Sequence, residues 1–385
     1  MTHQERVQIT FRHQEPDRVP LFEHTISSRV ASEFLGRTVH TGGPRIRWEE
    51  TSARWESEQA WQDYVGRLIG DFAELIRELD QDIVRAPWRH AARPSARLDD
   101  HTFRYDDREN DLWSVFHYDH HADVFHEVDS AIRQEGYPAI ERLVASMERS
   151  VDASGPPTAE SYADLLEIND RAGGGRFLAT GDGFLMVPPA AIWYEAMLTR
   201  PDLIERYLDC SVRRALKAFP EAAALGIHGS FSGGDLAYSA GPIFSPALFR
   251  KLILPRLRTV VKAAHQYGLV YLYLTDGMVW PLAQELFVDS GVDGYGEIDI
   301  DAGMGLAEVK RSFPHLTLWG GISCGKTLTS ASPVEVREAV RRTMLDCAPG
   351  GGLIFGSSNS IHQGVPLSNF VAMHEAALEF GAYRG

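Results

Sequence analysis

Three residues in the C-terminal half of the chain have side chains capable of chemistry at matching places. Asp276, Glu297 and Cys324 each stand where a short apolar run gives way to a turn, in LVYLYLTDG, GVDGYGEID and LTLWGGISC. A carboxylate at the end of a buried run is poised in a mouth, not in a core. One that follows Tyr295-Gly296 costs free energy unless it is paired or bound. If the three runs are neighbouring strands, about 5 Å apart, their ends can close on one metal ion and leave a fourth position open for substrate. A mixed carboxylate and thiolate set suits zinc better than magnesium or calcium. Zinc on Asp276, Glu297 and Cys324 is therefore the expected centre.

The ends of the other apolar runs add Glu23 and His24, Asp182, His228 with Asp235 in the loop beyond it, Asp299, and Asn359 with His362 just after. Each has a plainer reading beside the functional one. Asp182, Asp299 and Asn359 are the residue types of helix caps and turns. His228 is as readily a satisfied core histidine, and Cys324 a small core side chain. Cys210 and Cys347 fall on helical stretches and read as structural.

An architecture that gathers such residues has to bring many strand ends to one rim. Eight runs qualify as strands: 19–25, 82–87, 177–183, 226–229, 269–277, 291–299, 316–323 and 352–359. Amphipathic helical stretches separate most of them. That alternation predicts a single (β/α)8 barrel over residues 1–385, with its chemistry at the carboxyl ends of the strands. A helix over residues 1–18 precedes the first strand. An insertion occupies about 36–172, and within it Phe103 to Tyr118 alternates around Asp-Asp-Arg-Glu-Asn and predicts a β-hairpin outside the barrel. Its use stays open between a dimer interface, in a homodimer, and a lid. The glycine-rich loop SFSGGDLAYSAGPIFSP reads as an active-site loop.

The formal charge of −15 argues against nucleic acid and anionic membrane as partners. No apolar run is long enough to span a bilayer. The polar start MTHQERVQITF is unlike a secretory signal. Three cysteines make no disulfide framework, so a cytoplasmic setting and a small-molecule substrate are expected.

Several segments carry a family resemblance: EPDRVPL, VKAAHQYGLVYLYLTDG, SGVDGYGEID and GGLIFGSSNSIHQGVPLSNFVAMHEAALEFG. They resemble the uroporphyrinogen decarboxylase superfamily, most densely from Gly226 to Gly385. The resemblance implies a (β/α)8 barrel and one of two activities. True decarboxylases use no cofactor and carry an early RQAGR-like segment, which is missing from PLFEHTISSR here. Corrinoid-dependent methyltransferases that act on thiols carry His-x-Cys-Gly at the fifth strand, where this chain has Leu274-Thr275-Asp276-Gly277, and a cysteine in the eighth-strand loop, where it has Asn359. What remains resembles members that demethylate methoxylated aromatics or methylamines onto a corrinoid held by a partner protein. On that reading His228, Asp235 and Asp276 are the catalytic candidates. Glu23, His24, Phe231, Tyr238, Tyr295, Trp319, Asn359 and His362 are the substrate-binding ones. Decarboxylation of uroporphyrinogen or a smaller acid is the alternative.

Overall fold

The computed structural model describes residues 1–383. In chain order its strands are β1 (Ile83–Arg85), β2 (Ala96–Arg97), β3 (Thr102–Asp107), β4 (Leu112–Asp119), β5 (Val124–Ser130), β6 (Phe177–Thr180), β7 (Gly229–Gly233), β8 (Ala237–Tyr238), β9 (Gly241–Pro242), β10 (Val270–Leu274), β11 (Gly294–Gly296), β12 (Thr317–Ile322) and β13 (Leu353–Ser357). Seven of them form one curled sheet in the order β1-β6-β7-β10-β11-β12-β13, with every pairing parallel. This is the predicted TIM-barrel architecture.

Its strands read as continuous apolar runs because both faces are buried. Along β10, Leu272 and Leu274 point into the barrel with Phe22, Phe177, Phe231, Trp319 and Ile354. Tyr271 and Tyr273 point the other way, into the layer beneath the helices. A helix at His3–Phe11, started by a Thr2/Glu5 capping box, closes the barrel floor. Its Phe11 lies 5.8 Å from Phe177 and 6.3 Å from Phe231 between ring centroids. This helix is shorter than the predicted 1–18.

The predicted first strand, 19–25, forms no ladder of its own. Pro20 lacks an amide to donate. The segment nevertheless fills the eighth position. Phe22 donates to the Phe355 carbonyl at 3.0 Å, Phe355 donates to that of Pro20 at 2.8 Å, and on the other side Asp82 donates to that of Leu21 at 2.9 Å. The segment thus bridges β13 and β1. It is clamped by Asp82, which is fully buried and accepts from Arg6 at 2.5 Å, Arg18 at 2.6 Å, the Leu21 amide at 2.7 Å and His3 at 2.8 Å.

Gly356 is what lets β13 come this close. A Cβ there would stand 2.1 Å from the Phe22 carbonyl oxygen and 2.9 Å from Trp319 Nε1. Gly356→Ala is expected to lower stability by ~3 kcal/mol through this overpacking, read as a fall in the denaturant midpoint.

The insertion is larger than a hairpin. β2, β3, β4 and β5 form a four-stranded antiparallel sheet in that order, with the predicted hairpin as its centre. A helix at Pro44–Glu56, where no regular element was expected, leans on it. No helix among the described residues is long and apolar enough to cross a membrane.

Candidate active site

The carboxyl ends of the barrel strands open into a cavity of about 470 Å³. Five of the residues singled out in the sequence line it: His24, Asp235, Asp276, Glu297 and Asn359. Thr275, at the end of β10, accepts from the Leu236 amide at 3.1 Å and so ties the glycine-rich loop, with Asp235, beside Asp276. Asn359 Nδ2 donates to Asp276 Oδ2 at 3.2 Å, joining the ends of β10 and β13.

Glu297 follows β11 with φ of +63°. That left-handed conformation is costly for a residue with a side chain, and such strain gathers at functional sites. Gly296 just before it has no room for a Cβ, which would stand 2.5 Å from the Trp319 ring. Large Trp319 and small Gly296 thus set the depth of the cavity floor. Burial, reinforced by the charge of Asp276, pushes the Glu297 carboxyl up to about 8, against the pull of Arg85. Burial likewise raises Asp276 to about 6, with Asp235 and Asp299 adding to the effect. Asp235 is more open to solvent, yet the cavity wall also raises it.

Beneath the rim, burial raises Glu23 to about 7 although Ser357 bonds to it. Ser357 Oγ lies 2.5 Å from Glu23 Oε2 and also contacts the Asn359 carbonyl. One hydroxyl proton cannot serve two acceptors. Both contacts are satisfied when Glu23 is protonated and donates to Ser357, which then donates to Asn359. His24 is held neutral, first by burial and then by the Arg85 charge. Its ring lies over Trp319 at 6.0 Å.

Two cations that the sequence reading missed face the same cavity, Arg47 and Arg85. Arg85 ends β1 and was legible as a charge in a buried run, DIVRAP. Arg47 lies on the unexpected helix, and nothing in its sequence neighbourhood marks it. Trp88, Phe184, Met186 and Leu274 supply the apolar wall.

The remaining candidates are placed elsewhere, and for all of them but Asp182 and Asp299 this is a correction. His228 precedes β7 at the amino end of the sheet, where its Nδ1 accepts from the Leu178 amide at 2.9 Å. Phe231 is fully buried inside the barrel, with its ring against Phe11, Phe22 and Phe177. Trp319 is also fully buried and donates to the Phe22 carbonyl at 2.9 Å, so it is floor and not substrate contact. Tyr295 packs outward on Phe287. Tyr238 is 60% exposed outside the cavity. His362 is held at the surface by backbone, between the Cys324 carbonyl and the Gly364 amide. Asp182 accepts from Thr180 and Tyr162, and Asp299 caps the turn at Ile300–Ala302, so for both the plainer reading holds.

Cys324 does not line the cavity; its sulfur accepts from Ser358 Oγ at 3.5 Å, and burial raises the thiol. Among the described residues, no group of three or more His, Cys, Asp or Glu side chains stands close enough together to hold a metal ion. Asp276, Glu297 and Cys324 therefore do not gather into the expected zinc set.

The fold and cavity define a TIM barrel with carboxyl and guanidinium side chains gathered at one rim. Residues 190–380 match the uroporphyrinogen decarboxylase (URO-D) family, and over that stretch the chain is similar to its superfamily. Uroporphyrinogen decarboxylase of Alkalilimnicola ehrlichii is 30% identical over 189 residues, 47% of this chain and 48% of that one. That of Actinobacillus succinogenes is 30% identical over 147 residues, 37% and 39% respectively. The chain thus aligns with about half or less of the length of these relatives. A methyltransferase from Methanosarcina mazei has the same fold over 99% of both chains, with a TM-score of 0.59 at 17% identity.

Proposed function

We propose that this protein moves a methyl group from a small methylated compound, of the methoxylated aromatic kind, to a corrinoid carried by a partner protein. The reading rests on Glu297, a carboxylic acid that keeps its proton near neutral pH inside a cavity with apolar walls. An aryl methyl ether gives up its methyl group reluctantly because phenolate is a poor leaving group. The reduced corrinoid supplies the nucleophile that accepts the methyl. The methyl–oxygen bond breaks, its electron pair stays on oxygen, and the Glu297 proton passes to that oxygen. Asn359 and Asp276 fix one side of the acid's surroundings. Trp88, Phe184 and Met186 supply apolar surface for the ring. The fold shared with a methyltransferase supports this choice within the superfamily. A polycarboxylate tetrapyrrole suits a cavity of about 470 Å³ less well, since such a volume matches a smaller ligand.

The test is spectral titration of the protein with a reduced corrinoid protein and a panel of methoxyarenes. Substrate-dependent growth of the methyl–cobalt band is the expected result. Its absence across the panel, or release of carbon dioxide from a candidate acid instead, overturns the reading.

A further inference from the structure

We propose that Arg85 and Arg47 form an anion subsite that grips a carboxylate on the substrate, so that the compound taken is an aromatic monoacid. The proposal rests on the cavity being the substrate site, as in the function given above, but not on which reaction follows.

Arg85 is only 6% exposed. Its Nε is buried with no hydrogen-bond partner, and its Nη1 meets only the ring nitrogens of His24, at 3.2 and 3.3 Å. Neither Arg85 nor Arg47 forms an ion pair with any described residue. Three other enclosed arginines are paired. Arg6 lies on Asp17 and Asp82, Arg89 on Glu50 and Asp164, and Arg176 on the carbonyls of Gln81, Ala172 and Gly174. Arg54 and Arg142 also leave a buried Nε unpartnered, but each has an ion pair, with Glu58 and Glu135, of the kind that Arg85 lacks. A buried cation without an anion is expensive, and a planar fork with open N–H groups is the shape that a carboxylate fits.

The carboxylates already present do not take that role. Asp235, Asp276 and Glu297 share the cavity yet make no ion pair with either arginine. Their presence also sets the ligand's charge. A monoanion balances two cations beside these acids better than a dianion, which favours a carboxylate over a phosphate. The apolar wall of Ile46, Trp88, Phe184 and Met186 accommodates the ring that bears it.

Binding tests this without turnover. Isothermal titration would compare 4-methoxybenzoate, its uncharged methyl ester and inorganic phosphate on the wild-type protein, Arg85→Gln, Arg85→Lys and Arg47→Gln. The acid is expected to bind roughly tenfold or more tighter than the ester, the scale of one charge-assisted hydrogen bond. Each glutamine variant should erase that preference, and Arg85→Lys should keep part of it. Circular dichroism checks folding, and Arg47→Gln, at a more open position, carries the test if Arg85→Gln does not fold. Equal binding of acid and ester, retention of the preference in both glutamine variants, or phosphate competing as strongly as the acid overturns the proposal. Acid binding that depends on the arginines, without any methyl transfer, would reject the function above and leave the subsite standing. Methyl transfer without charge preference would do the reverse.

Discussion

Replacement of Glu297 by glutamine is expected to lower the rate of methyl transfer by about 10²–10⁴-fold, the range a positioned proton donor contributes. Glutamine keeps the shape and can still hydrogen-bond, but has no acidic proton to give. The same assignment fixes a pH profile. The acid form is needed, and its carboxyl titrates at about 8, so wild-type activity should fall as pH rises through that value. The residual activity of Glu297→Gln should lack this limb. Stability depends on pH in the same direction. The folded carboxyl titrates above its ordinary value of 4.5, so its favourable contribution is complete below 4.5 and lost as pH rises through about 8. Glutamine stays neutral throughout, and the variant should melt no lower than wild type on the alkaline side of that window. A variant that loses activity and stability together would make Glu297 a structural residue. Full activity in Glu297→Gln would remove the proton donor from the mechanism.

Asp82→Ala is expected to cost about 3–5 kcal/mol, the penalty for stranding buried charges when their partner is removed. Arg6 and Arg18, with side chains 8% and 13% exposed, would lose their shared counter-ion. The Leu21 amide would lose its acceptor, and with it the eighth stave its clamp on β1. Burial works against the Asp82 charge, but His3, Arg18, Arg6 and that amide outweigh it and hold the carboxyl below its ordinary range. Its contribution is therefore present above the unfolded carboxylate range and lost as pH falls through the depressed folded one. Urea unfolding at neutral and at acid pH measures both effects. A variant as stable as wild type at neutral pH would show that the cluster does not hold the barrel closed.

The strand ends after β10, β11 and β13 were legible because a buried apolar run stops abruptly at Asp276, Glu297 or Asn359. β7 was not. Its sequence Gly-Ser-Phe-Ser-Gly has no apolar run, and its serines are buried by donating to the carbonyls of Asp182 and Gly181. Pattern reading therefore stopped the strand early, at Gly226–Gly229, and put His228 at the wrong end of the barrel. Cys324 failed for a different reason. Its strand is next to that of Glu297, but where a side chain turns beyond the last ladder residue depends on its loop, here on Ser358. Arg85 was legible as a charge in a buried run, but that neither it nor Arg47 makes an ion pair was beyond sequence logic. Such a lack becomes visible only once every other arginine has been placed.

The stave that completes the ring joins groups as far apart in the chain as Glu23 and Ser357, separated by 334 residues. Asp82 lies much nearer to that stave, so one seam can form early during synthesis, while the other must await β13. Until the ribosome has released that strand, the nascent sheet keeps an open edge on which foreign strands can pair. Closure over so long a span is slow. Chaperone demand and aggregation on refolding should therefore follow the last seam and not the size of the core.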